Sequence, residues 1–218
     1  MPAAEAAAGA HGGPHSLFDA RRFDRLAGTF SVLLAAGGLA YSAAFVMTLR
    51  TEVPAAEYAA ALLLAVSGLI SSLVWIAIYE RIKAVSVPLA VWALALGLMS
   101  AAGSMIHGGY DLANLFNPPP RGPNLPNAID PRGMLTFGVS AVALAIASWL
   151  IVLGGSRLPR KLGQLGLVAA ALLFIVYLGR LILLDPENPL LLGSAALLGV
   201  VVLPWWYVWL GNTLRRES

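Results

Sequence analysis

The sequence predicts an all-α, polytopic membrane protein: a bundle of six transmembrane helices with a proline-rich outer loop. Three observations predict it. Of 218 residues, 59% are hydrophobic and only 11% are charged, whereas a soluble domain carries about 25% charged residues. Mean hydropathy is +0.78, so lipid must solvate much of the chain. Six apolar runs are each long enough to supply the roughly 20 helical residues that cross a hydrocarbon core. None alternates like a barrel strand of about ten residues.

Residues 1–16, "MPAAEAAAGAHGGPHS", read as a disordered N-terminal tail. They lack the basic region and apolar core of a cleaved leader, so the first span is expected to serve as the insertion signal. Residues 17–26, "LFDARRFDRL", mix apolar and basic side chains and read as a cytoplasmic interfacial segment, with Phe18 and Phe23 among the headgroups. The membrane domain follows over 27–211, with spans at about 27–48, 57–79, 86–106, 134–154, 163–184 and 190–211. A short cytoplasmic tail covers 212–218.

Small residues at helical spacing mark where helices can approach closely in lipid. The first span has Gly38 and Ser42; the second has Gly68 and Ser72. In the third, Gly97, Ser100, Ser104, His107 and Asp111 share one face. Residues Gly166, Ala170, Leu173, Tyr177, Arg180 and Leu184 do so in the fifth. This predicts a tight contact between the third and fifth spans, with polar locks towards the outer end. Pro88 starts the third span, where a missing N–H is harmless. Pro204 lies inside the sixth and should kink it, freeing the Val200 carbonyl. The aromatics of "WWYVW", 205–209, suit the cytoplasmic interface belt.

The connection over 107–133 carries six prolines: Pro118, Pro119, Pro120, Pro123, Pro126 and Pro131. They impose extended or turn geometry, and an ordered outer cap is expected. "YDLANLF" at 110–116 can continue the third span as a short helix, although Gly108 and Gly109 argue against an unbroken one. An internal echo exists: 29–42 and 136–149 share Thr-Phe-x-Val and two alanines, five matches in fourteen. Three spans per half would make that an inverted repeat.

Orientation follows from lysine and arginine placement. Arg21, Arg22, Arg25, Arg81, Lys83, Arg157, Arg160, Lys161, Arg215 and Arg216 fall on one side. The other side has Arg50, Arg121, Arg132 and Arg180, with the acids Glu52, Glu57, Asp111, Asp130, Asp185 and Glu187. Both termini are therefore expected in the cytoplasm of a bacterial inner membrane, which an even number of spans requires.

Several chemistries are set aside. The chain has no cysteine, which removes disulfides and thiolate catalysis. No basic patch interleaved with aromatics points to nucleic acid. Two-histidine haem ligation lacks a second membrane histidine, because His11 and His15 lie in the tail. A retinal Schiff base lacks a membrane lysine, and a metal at His107 and Asp111 lacks a third ligand. No hydrolase, zincin or phosphate-loop motif is present. Ser104 and His107 are spaced like a nucleophile and base, but that spacing is common. No cofactor and no metal is expected.

Arg180 is the one arginine inside an apolar run. About five residues from the end of its span, it lies roughly 6–8 Å below the boundary at 1.5 Å per residue. It can snorkel to the interface, pair with Asp111 or Asp185, or clamp an anionic ligand through its planar fork. Should a ligand bind, the coherent pocket is His107, Tyr110, Asp111, Tyr177, Arg180 and Asp185.

"PWWYVWLGNTLRR" at 204–216, "HGGYDLANL" at 107–115 and "YLGRLIL" at 177–183 resemble stretches of uncharacterised bacterial six-span membrane proteins. The resemblance covers about 28–216. It implies a multi-span integral membrane protein and brings no activity or catalytic residue. The leading expectation is a non-enzymatic accessory or assembly subunit, contacting membrane lipids and partner proteins of a larger membrane complex. Scarce intramembrane ionisable groups favour it over a pump. The alternative is a small-molecule or lipid-binding protein or transporter with a site at the outer ends of spans three and five. A membrane enzyme acting on a lipid is the third.

Overall fold

Prolines and glycines punctuate the helices where the backbone requires it. In a computed structural model the described residues are 20–51, 53–118, 133–182 and 188–216, and among them there is no strand. Six helices result: α1 (Ala20–Arg50), α2 (Pro54–Ile82), α3 (Val87–Phe116), α4 (Met134–Leu153), α5 (Arg160–Ile182) and α6 (Pro189–Arg216). Proline occupies the first turn of α2, α3 and α6, where its missing N–H has no intrahelical partner to lose. Asn188 caps α6 by accepting the Leu190 N–H at 3.0 Å. Gly154 and Gly155, at φ +91° and +83°, end α4 in a conformation that favours glycine. All six helices are long and apolar enough to cross a membrane, and the protein is a membrane-embedded six-span bundle.

The helices form a closed ring. Each packs on its neighbours in sequence, α1 packs on α6, and α2 touches α4 across the interior. α3 therefore lies between α2 and α4. The expected contact between the third and fifth spans is replaced by two contacts with α4, which separates them. A stripe of small residues says that a helix approaches closely; it does not say which partner it meets.

Two seams of the ring are built alike. At α1/α6, a Cβ added to Gly28 would lie 2.7 Å from the Gly211 carbonyl oxygen, and Ser31 Oγ donates to the Tyr207 carbonyl at 2.7 Å. At α3/α4, a Cβ on Gly103 would lie 2.5 Å from Leu135 Cβ, and Ser100 Oγ donates to the Thr136 carbonyl at 3.4 Å. The shift that lays 29–42 on 136–149 also lays Ser100 on Tyr207. It lays Gly28 on Leu135 but Ser31 on Gly138, so the two seams correspond approximately and their hydrogen bonds do not superpose.

Residues 20–26, assigned from sequence to an interfacial segment, form the first turns of α1. α3 is unbroken through Gly108 and Gly109 and reaches Phe116, ten residues beyond the sequence boundary at 106. At Gly108 the backbone of α2 comes close, its Ala61 carbonyl and Ala65 filling the place of a side chain. Helical glycine is tolerated in lipid when a neighbouring helix uses the space. Pro204 is accommodated by a wider π-helical turn over Leu197–Val202, in which the Leu203 N–H reaches back five residues to Leu198. A second π turn opens α4 over Met134–Val139. The tail 1–16, residues 17–19 and the proline run 119–132 lie outside the described residues.

Packing is uneven along the membrane normal. The bulkiest fully buried side chains are Trp206, Ile78, Ile82, Leu150, Ile151 and Leu162. All lie towards the end where Arg81 and Arg215 sit, here termed the basic end. Towards the opposite, loop end the buried positions are mostly small, as at Ala61, Ala101, Gly103 and Gly108.

Candidate functional site

α3 positions the central group. Twenty residues separate Val87 from His107, a rise of about 30 Å, or one hydrocarbon thickness. His107 therefore sits at the loop-end boundary, and it is 9% exposed. One helical turn on, Asp111 places Oδ2 3.5 Å from His107 Nε2. From α4, Thr136 Oγ1 lies 3.4 Å from His107 Nδ1. Both ring nitrogens thus face oxygen. The imidazolium can donate to both, whereas the neutral ring donates from one nitrogen only.

Thr136 is itself buried, and its carbonyl accepts from Ser100. Ser104 Oγ donates to its own helix at the Ser100 carbonyl, 3.1 Å away. That use of its proton does not fit a nucleophile waiting for a base. The Asp111 side chain is 40% exposed against 11% for His107, so the carboxylate stands on the outer side of the imidazole, beyond the boundary. A proton could reach His107 along that side.

Tyr110 is next to the pair in sequence but points outward and is 52% exposed. Tyr177 of α5 lays its ring on Gly138 of α4, where an added Cβ would lie 3.1 Å from two ring carbons. The structure therefore joins His107 and Asp111 and adds Thr136 to them. Tyr177 meets the cluster's other helix instead of its imidazole. Arg180 lies on the loop-end turns of α5; its side chain, and Asp185 altogether, lie outside the described residues. Among the described residues no three His, Asp or Glu side chains gather as metal ligands.

Sequence reasoning missed Thr136. It stands at the start of an apolar run, where a lone threonine looks like a helix-forming filler. Its only trace in the sequence was the echo, which aligns Thr136 with Thr29 and does not tie it to His107. A second missed pair lies at the basic end. Arg81 of α2, 5% exposed, donates from Nη2 to Asp24 Oδ2 of α1 at 2.8 Å. The backbone carbonyl of Arg81 also accepts the Arg157 N–H from the α4–α5 connection at 3.2 Å. Arg81 is thus a buried lock between helices as well as a flanking charge.

The chain was compared with protein-family models, curated proteins and solved structures, and none of them matches it.

Proposed function

We propose that this protein is a non-enzymatic accessory or assembly subunit of a bacterial inner membrane, with both termini cytoplasmic, that works by contacting partner membrane proteins. The observation that carries the reading is the projecting end of α3. Thirty residues make this helix about 45 Å long, against about 30 Å of hydrocarbon. Its final turns pass the boundary and still present Tyr110 and Phe116, 52% and 75% exposed, above the lipid-level Ile106 at 58%. Exposed apolar stripes at a water boundary mark contact surfaces.

The projection is held rigid. Tyr58 of α2 donates its hydroxyl to the Leu115 carbonyl at 3.0 Å, and its ring lies 5.2 Å from that of Phe116. Three polar contacts inside the ring join neighbouring helices: His107–Thr136, Ser31–Tyr207 and Ser100–Thr136. The inward-basic charge pattern supports the orientation.

Extraction in mild detergent, followed by cross-linking and mass spectrometry, tests the reading. A stoichiometric partner should be captured by the wild type and lost from the Tyr110→Ser/Phe116→Ser double variant at unchanged folded yield. Recovery only as a lone monomer would defeat it.

The second reading is a small-molecule or lipid-binding protein with its site at the loop end. It is favoured by the small buried residues there and by the imidazole held between Thr136 and Asp111. Arg180→Ala should then abolish ligand binding while folded yield stays constant.

A further inference from the structure

Five arginines are brought to one rim by a single helix crossing. Gly28 and Gly211 allow α1 and α6 to touch through their backbones, and the Arg215 stem lies over Gly28. Arg21, Arg22 and Arg25 precede that crossing on α1; Arg215 and Arg216 follow it on α6, which runs the other way. All five are exposed. Among the described residues, Asp24, which lies between Arg22 and Arg25, is engaged by the buried Arg81.

Beside this rim, the outward face of α6 forms a groove of about 560 Å³. Its membrane-side wall is apolar, with Val201, Trp205 and Val208 at 53%, 65% and 40% exposed. Its basic-end wall is Asn212, Thr213 and Arg216. Arg215 Nη2 donates to Asn212 Oδ1 at 2.9 Å, linking the rim to the groove. Charge and apolarity are thus graded along one axis, as they are in a phospholipid. All six tryptophans lie in the basic half of their helices, and Trp92, Trp149 and Trp205 face outward there. Exposed indoles at one level anchor a membrane protein at that interface.

We infer that the basic end of the α1/α6 seam is a binding site for an anionic phospholipid, with an acyl chain along Val201, Trp205 and Val208 and the headgroup phosphate among Arg216, Arg215 and the α1 arginines. Guanidinium forks match phosphate oxygens in geometry as well as charge. The site is independent of the loop-end surface on α3.

Trp205 supplies the reporter. The full chain is reconstituted in phosphatidylcholine vesicles containing a minor fraction of either dibrominated phosphatidylglycerol or dibrominated phosphatidylcholine, and tryptophan quenching is measured. The anionic lipid should quench more at equal mole fraction. That excess should vanish in Trp205→Phe. It should fall about fivefold in Arg216→Gln, the ratio that corresponds to about 1 kcal/mol per arginine at a charged surface. These side chains are exposed, so the variants keep the packed ring. Equal quenching by the two lipids would overturn the inference. So would an excess that survives Trp205→Phe, or one indifferent to Arg216→Gln.

Discussion

Removing the carboxylate of Asp24 should destabilise the bundle far more than deleting an ordinary surface charge. The Asp24–Arg81 contact is 2.8 Å, with the side chains 18% and 5% exposed. At an effective dielectric of about 20, opposite charges at that distance attract by roughly 6 kcal/mol. Desolvation offsets most of this, so the pair contributes little net stability when intact. Asp24→Asn is different, because it takes the counter-charge from a guanidinium that water hardly reaches. Losing one partner of a buried pair costs about 3–5 kcal/mol. Arg81→Met should cost less, since the remaining carboxylate is the more exposed partner and can turn to water. The double variant Asp24→Leu/Arg81→Met should return to within about 1.5 kcal/mol of wild type. Unfolding by sodium dodecyl sulfate in mixed micelles, followed by far-ultraviolet circular dichroism, gives each free energy. A cost below about 1 kcal/mol for Asp24→Asn, the range of an exposed pair, would refute the reasoning. A double variant as unstable as the single would refute it equally.

Gly108→Leu should destabilise by about 1–3 kcal/mol, because α2 backbone occupies the side-chain position, whereas Gly109→Ala, with nothing within 4 Å, should be neutral or stabilising in the same titration. Ser148→Ala should stabilise by about 1 kcal/mol, since Ser148 Oγ is buried without a hydrogen-bond partner where α4 meets Gly166. It should also lessen the cost of Gly166→Ala, whose new methyl would meet that hydroxyl, and a double-mutant cycle reads the coupling. Thr136→Val should cost about 1 kcal/mol and shift the His107 ring resonances in a selectively labelled nuclear magnetic resonance spectrum; unchanged resonances would remove Thr136 from the cluster.

The six spans were legible because each is an apolar run of membrane length, a signal that needs no knowledge of neighbours. What lay beyond the runs was harder. Gly108 and Gly109 looked like a break because helix propensity describes a helix alone, while Gly108 is used by α2. Asp24 sits among three arginines, so its sequence neighbourhood resembled a solvated charge cluster; only the fold brings Arg81 to it from 57 residues away. His107 and Asp111 were found together because four residues is one helical turn. Thr136 could not be, because its link to them depends on α4 standing beside α3.

Closure of the ring through Gly28 and Gly211 orders events during synthesis. α1 enters the bilayer first among the six, yet one of its two flanks finds its mate only when α6 is translated. Until then the Gly28–Ser31 surface must be sheltered by lipid or by the insertion machinery. A ribosome stalled before α6 would therefore leave an open crescent with two raw edges, a natural substrate for membrane quality-control proteolysis.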